Sequence, residues 1–378
     1  RDLSRLYGTW DRTTQRGAPC AGPMRREYKV AWATFFLAVA YGIVNFGTSG
    51  HTVEPTSKQL RPHVTHVEEQ VVESNPIQSV PVASPIHKER KKLDGVIVTL
   101  YNESPRARMR FFECIKSWEK HLLFVKRRRY PIIVFYLTGV KDELSDTQKK
   151  KLQELAPSLS IEFHAVTHAV PDRFKGNVKK ILEHQMPKRG LGYIFCSQFL
   201  GYEMFKHPRL QSTDYILRLD DDITFDHDAS LDLFEDMDQN QIGVGWNCIK
   251  LQWDKSSAYM DGRIQKYVDR RTATGWSAQP EYYKLMPNGT WNMRLYAGCV
   301  EIYKSSLYIN EEYYTFLDEI DMLEGIYMHS WMEQAFKTLW MAIATPPQAW
   351  KRYACELPTL HRGTRETWFD YEGCPAGP

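Results

Sequence analysis

Four short apolar runs separated by helical patterns constrain this chain more than any other feature. "GVIVTL" (95–100), "YPIIVFYL" (130–137), "LSIEFHAV" (159–166) and "DYILRLD" (214–220) read as strands. Between them lie helical patterns over 105–122, 143–156 and about 192–205. Strands alternating with helices predict a mainly parallel sheet covered by helices on both faces. In such sheets ligands collect at the carboxyl ends of the strands. Two polar motifs sit at those ends: "YNES" after the first strand and "DDD" closing the fourth. No internal repeat is evident.

Three adjacent carboxylates where a buried strand ends point to a bound cation, because carboxylates are seldom buried unless paired or metal-bound. On an extended segment Asp220 and Asp222 face one side and Asp221 the other. Two carboxylates on one side make a half-site for a hard divalent ion, Mn²⁺ or Mg²⁺, which completes its shell with water and substrate phosphates. A metal bridging a diphosphate improves it as a leaving group, which is the chemistry of a sugar-nucleotide transferase. The alternative is an acidic turn capping a helix that starts near Ala229. Calcium-loop spacing, a GxxxxGK[ST] loop and a GxGxxG fingerprint are absent, so ATPase and dehydrogenase readings lose support.

The chain of 378 residues is 43% apolar and 13% aromatic, enough for a sizeable core. A net charge of +3 argues against a nucleic-acid binder. Seven cysteines without a CxxC pair argue against a structural zinc cluster or a redox motif and allow one to three disulfides in an oxidising compartment. Residue 1 is Arg and the first methionine is Met24, so 1–23 are expected to be a leader or an incomplete end. Val30 to Gly47 carries no charge, with Arg25, Arg26 and Lys29 before it and no basic residue until Lys58. This pattern predicts a signal anchor over 30–47 with a cytosolic tail over 1–29. A cleaved signal peptide is the competing reading. The Pro-, Ser- and charge-rich 48–93 reads as a stem, leaving 94–378 as a lumenal domain.

An anchor, a stem and a strand-terminal D-x-D describe a secretory-pathway glycosyltransferase of the GT-A kind, an α/β fold. The run "FCSQFLGYEMFKHPRLQSTDYILRLDDDITFDHD" further resembles the signature of the fungal Golgi α-1,2-mannosyltransferases, the glycolipid/glycoprotein 2-α-mannosyltransferase family. Cys196, Gly201, His207, Pro208, Asp214, Arg218, Asp222 and Phe225 match it. Looser similarities in "IVTLYNES", "MRLYAGCVEIYKSSLY" and "YEGCP" extend the resemblance from about Gly95 to Pro375. It implies retaining transfer of mannose from GDP-mannose, with Mn²⁺ or Mg²⁺, onto a mannosylated protein or lipid glycan in the Golgi. Donor contacts are expected at Asn102, Arg218 and Asp220, and metal ligands at Asp220 and Asp222, with His361 a candidate third ligand. Glu301 matches the family's glutamate facing the anomeric carbon.

Departures from the pattern are specific. The family's E-P-D is D-D-D here, with Asp220 in the glutamate's place. The arginine expected after Cys196 is Ser197. With the family's tryptophan aligned to Trp331, Lys337 falls where the family has a metal-binding histidine, leaving His329 and His361 as candidates to complete the shell. Glu333 lies at an aspartate of the family's G-D pair. Two rivals therefore stand: a GT-A transferase using another nucleotide sugar, and a non-catalytic lumenal glycan-binding protein.

Other residues carry two readings each. Asn102 is either a base or ribose contact or a turn former before Pro105. Glu301 interrupts an apolar strand expected over 295–303, and a structural salt bridge to Arg294 or Lys304 is the alternative to a catalytic role. "NES" (102–104) and "NGT" (288–290) are glycosylation acceptors, of which Asn288 is expected to be the one used. The tryptophans at 246, 253, 276 and 291 are sugar-stacking candidates but are expected mostly to pack the core. The carboxylates of 310–321 read as a solvated helix face.

Overall fold

The computed structural model describes residues 93–361 apart from 102–104, 139–142, 186–188, 248, 253–256 and 297–298. The expected anchor, nearly all of the stem, Asn102 and Trp253 lie outside the described residues. Among the described residues no helix is long and apolar enough to cross a membrane.

All four expected strands form, as β1 (Gly95–Leu100), β2 (Pro131–Leu137), β3 (Ser160–Val166) and β4 (Tyr215–Leu219). Among the described residues seven further strands follow: β5 (Ile223–Phe225), β6 (Val244–Trp246), β7 (Ile249–Leu251), β8 (Arg294–Tyr296), β9 (Val300–Lys304), β10 (Trp350–Arg352) and β11 (Thr359–His361). The main sheet has the order β10-β6-β9-β4-β1-β2-β3. Every pairing in it is parallel except those of β9, which runs antiparallel to both β4 and β6. From β1 the chain moves outward through β2 and β3, then returns to place β4 on the other side of β1. That reversal makes the carboxyl ends of β1 and β4 the crevice where ligands bind in open α/β sheets.

Strand periodicity divides the core between the two faces. Val96 and Val98 of β1 join one apolar cluster with Ile133, Phe135 and Ile216. Ile97 joins the other with Ile132, Val134, Leu217 and Leu219. A parallel sheet buried on both faces is the result expected from β1 and β2, whose apolar runs leave no polar face.

Helix ends follow local capping more closely than periodicity. The helix expected over 143–156 runs Asp146–Leu155, because Ser145 and Gln148 form a capping box that sets its start. The helix expected near Ala229 starts at Leu233, where the Asp232 carboxylate accepts from the Glu235 N–H. The helix expected over 192–205 is α-helical from Leu191 to Gln198, widens into a π-turn over Phe199–Glu203 and closes as Met204–Lys206. The strand expected over 295–303 is two strands in different sheets, β8 with β7 and β9 within the main sheet. Cys355 is disulfide-bonded.

Candidate active site

Arg218 stands in the middle of β4, a strand otherwise built of Tyr, Ile and Leu, and is only 2% exposed. A guanidinium so placed requires carboxylate partners, since an unpaired buried charge is strongly destabilising. Three surround it. Its Nη2 donates to Asp220 Oδ1. Glu301 Oε1 lies 3.5 Å from Nη1, and Glu333 Oε1 lies 3.5 Å from Nη2. Lys337, with no exposed surface, donates from Nζ to the other oxygen of Glu301, Oε2.

Three elements bring these groups together. The antiparallel register of β4 and β9 sets Arg218 directly against Glu301. The helix Glu333–Ala344 contributes Glu333 and Lys337, four residues apart and therefore on one face. Gly201, in the π-turn, lets that helix approach: a Cβ there would lie 2.5 Å from Phe336 Cζ and 3.0 Å from Glu333 Cβ. The widened turn at 199–203 is thus bound up with the close passage of the helix that carries Glu333 and Lys337.

Burial and charge oppose each other throughout the cluster. Burial works against the Arg218 charge, but Asp220, Glu301 and Glu333 together outweigh it and hold its pKa above the ordinary arginine value. Burial raises the Glu333 carboxyl despite the nearby Arg218. Burial lowers the Lys337 ammonium, with Glu301 pulling the other way. The rings of Phe205, Tyr303 and Tyr308 lie 5.4, 5.1 and 5.1 Å from Lys337 Nζ, so its stem and head are packed by aromatics.

The aspartate run departs from the extended geometry expected of it. Asp221 and Asp222 form a turn in which the Ile223 N–H donates to the Asp220 carbonyl at 3.2 Å. The same-side argument for Asp220 and Asp222 therefore loses its basis, because side chains alternate only along an extended strand. Both Asp221 and Asp222 are buried, and Asp222 Oδ2 lies 3.7 Å from Arg110 Nη1. The turn is pinned from two sides. Trp118 Nε1 donates to the Ile223 carbonyl at 2.8 Å, and β11 pairs antiparallel with β5.

The register of that pairing places His361 across from Ile223, one residue beyond Asp222. His329 instead sits beside Glu324 and the ring of Tyr259. Among the described residues no group of three or more His, Cys, Asp or Glu side chains is arranged to hold a metal. Asp220 and Asp222 still supply the hard oxygen donors that suit Mn²⁺ or Mg²⁺, ions that take much of their shell from water and substrate phosphates. The donor chemistry fits through these two residues.

The expected alternative partners of Glu301, Arg294 and Lys304, are both exposed, and the observed ones are Lys337 and Arg218. In the sequence Lys337 is marked only by falling where the family pattern has a histidine. Its signal was available as a lone cation within the apolar run "AFKTLWMAIA" (335–344). Arg110, one of several basic residues on its helix, carried no such signal. Of the tryptophans, Trp291 is buried, while Trp246 and Trp276 pack against the core partly buried. Glu312 and Glu319 pair with Arg271 and Arg270 at the surface, as a solvated face predicts.

A family model described as glycolipid 2-alpha-mannosyltransferase matches residues 50–355. The chain belongs to this family. Within it the fold is the GT-A-like α/β arrangement already described. Core-mannan synthase A (CmsA/Ktr4) from Aspergillus fumigatus, solved in its Mn/GDP form, superposes with a TM-score of 0.62 at 15% identity, covering 79% of each chain. The mannosyltransferase Ktr4p from S. cerevisiae superposes with a TM-score of 0.60 at 15% identity, covering 72% of this chain and 71% of that one. At such identity these likenesses establish the fold alone. A search of curated protein sequences finds no match.

Proposed function

We propose that the protein transfers mannose from GDP-mannose, with retention, to a mannosylated protein or lipid glycan, forming an α-1,2 linkage. The observation that carries this reading is the buried cluster of Arg218, Asp220, Glu301, Glu333 and Lys337 at the carboxyl end of β4, in a chain of this family. The Aspergillus fumigatus structure in its Mn/GDP form, and the S. cerevisiae Ktr4p structure in complex with GDP, support the choice of cofactor and donor nucleotide.

Asp220 and Asp222 would hold Mn²⁺ (or Mg²⁺), with His361 as the third ligand. The bound ion would supply charge neutralisation at the departing diphosphate. Asn102 would contact the donor at the end of β1, and Arg218 would anchor Asp220 beneath it. Glu301 would stabilise the positive charge that develops on the sugar. A non-catalytic glycan-binding protein is the second reading, favoured by one observation: both carboxylate oxygens of Glu301 already face cations.

Calorimetric titration with GDP tests the assignment. Binding is expected to need Mn²⁺, and Asp222→Asn is expected to abolish the Mn²⁺-dependent part. Metal-independent binding, or an undiminished metal effect in the variant, contradicts the role given to Asp222.

The localisation proposed is the Golgi membrane, single-pass type II, with residues 30–47 as anchor and 94–378 lumenal. Arg25, Arg26 and Lys29 before the uncharged run support that orientation. In intact microsomes residues 48–378 are expected to resist protease until detergent is added. Digestion without detergent contradicts the orientation. Asn288, exposed in the described fold, is the glycosylation site expected on that side.

A further inference from the structure

Lys337 is the one member of the charged cluster with no exposed surface at all. Its helix neighbours Phe336, Thr338 and Leu339 are also fully buried, and three aromatic rings surround its ammonium. A buried ion pair is weak evidence for stability, because an apolar residue of similar volume often serves as well or better. Met would fill a pocket lined by Phe205, Tyr303 and Tyr308 without the cost of burying a charge. A charge kept there calls for another explanation, and the geometry supplies one. Glu301 is held at both oxygens from different elements: Oε1 faces Arg218 of β4 at 3.5 Å, and Oε2 accepts from Lys337.

We propose that Lys337 is a positioning residue for the transfer reaction, clamping Oε2 of Glu301 while Arg218 holds Oε1, so that the plane of the carboxylate is fixed toward the sugar. The inference rests on the reading of Glu301 as the charge stabiliser. Arg218 alone cannot fix that plane, because it is shared with Asp220 and Glu333. Lys337 has Glu301 as its salt-bridge partner and is tethered by a packed helix, so it sets the angle. The remaining groups whose charge or hydroxyl lies near Glu301 are Tyr303 of β9, Tyr308 and Tyr313. Burial, reinforced by Glu301, pushes the Tyr303 and Tyr308 hydroxyls well above their usual pKa, so they stay neutral and do not compete as counter-charges.

The test is Lys337→Met assayed with GDP-mannose and Mn²⁺ beside the unmutated protein. Misaligning a reacting group by about 1 Å costs on the order of 10²-fold, so kcat is expected to fall by about that factor with donor KM nearly unchanged. In Lys337→Ala, ethylammonium is expected to restore part of kcat while the uncharged ethanol does not, a charge requirement that a purely packing role would not show. If Lys337→Met fails to fold, the double variant Lys337→Met, Glu301→Gln removes the carboxylate charge that lost its Lys337 partner and is compared with Glu301→Gln alone. Equal rates are expected, since Lys337 acts only through Glu301; a further fall in the double variant overturns the inference. An active protein whose Lys337→Met variant keeps its kcat overturns the inference and leaves the transferase reading standing. Silence of the unmutated protein with GDP-mannose overturns the transferase reading itself, and the inference with it.

Discussion

Arg218→Met is expected to lower the melting temperature by about 10 °C or to prevent folding. Arg218 lies between Asp220, Glu301 and Glu333, and methionine would leave those carboxylates without their shared cation. Removing one partner of a buried ion pair costs about 3–5 kcal/mol, because the other charge stays buried and uncompensated. For domains of this size each kcal/mol shifts Tm by roughly 2–4 °C. Lys337 cannot take over, since its own ammonium is engaged by Glu301 and sits on the helix side of the cluster. Scanning calorimetry of the two proteins decides the point. A Tm within about 2 °C of the unmutated protein would mean that the cluster is solvated and that its charges matter little to the fold.

How far the sequence foretold this arrangement varies from element to element. β1, β2 and β4 were legible as short, mostly apolar runs of the kind a sheet buried on both faces requires, whereas β3, at the sheet edge, carries Ser160, Glu162 and His164. The crevice at the ends of β1 and β4 followed from the same reading. The turn at Asp221–Asp222 was not legible, because its partners are distant in sequence: Trp118 lies 105 residues before Ile223, and β11 arrives from the far end of the domain. The π-turn at Phe199–Glu203 belongs with tertiary packing of Gly201 against Phe336, which periodicity cannot express. Glu301 stood out as a charge in an apolar strand, but its neighbours in sequence, Arg294 and Lys304, were the wrong partners. Arg294, on β8, and Lys304, at the end of β9, are exposed, while register and a helix some thirty residues later deliver Arg218 and Lys337.

Glu301→Gln carries the second large effect. Glutamine keeps the shape and accepts hydrogen bonds at one oxygen, but it removes the charge proposed to stabilise the developing positive sugar. Loss of one such electrostatic stabiliser costs on the order of 10²- to 10³-fold in turnover. A fall of at least about 10²-fold in kcat is expected, with donor KM nearly unchanged. Some loss of Tm is expected as well, because Lys337 loses its counter-charge while Arg218 keeps Asp220 and Glu333. The ratio of the two effects is diagnostic. A variant that melts much lower yet turns over at the original rate would make Glu301 a structural ion-pair partner and nothing more.

The central claim is that this chain moves mannose from GDP-mannose, and a donor panel tests it most directly. The purified protein would be incubated with Mn²⁺, an α-mannoside acceptor and, separately, GDP-mannose, GDP-fucose, UDP-glucose, UDP-galactose and UDP-N-acetylglucosamine. The account predicts consumption of GDP-mannose alone, with an acceptor extended by one mannose that a 1,2-specific α-mannosidase removes. Consumption of a different donor would move the protein to another transferase activity on the same fold, and silence across the whole panel would make it a glycan-binding protein without catalysis.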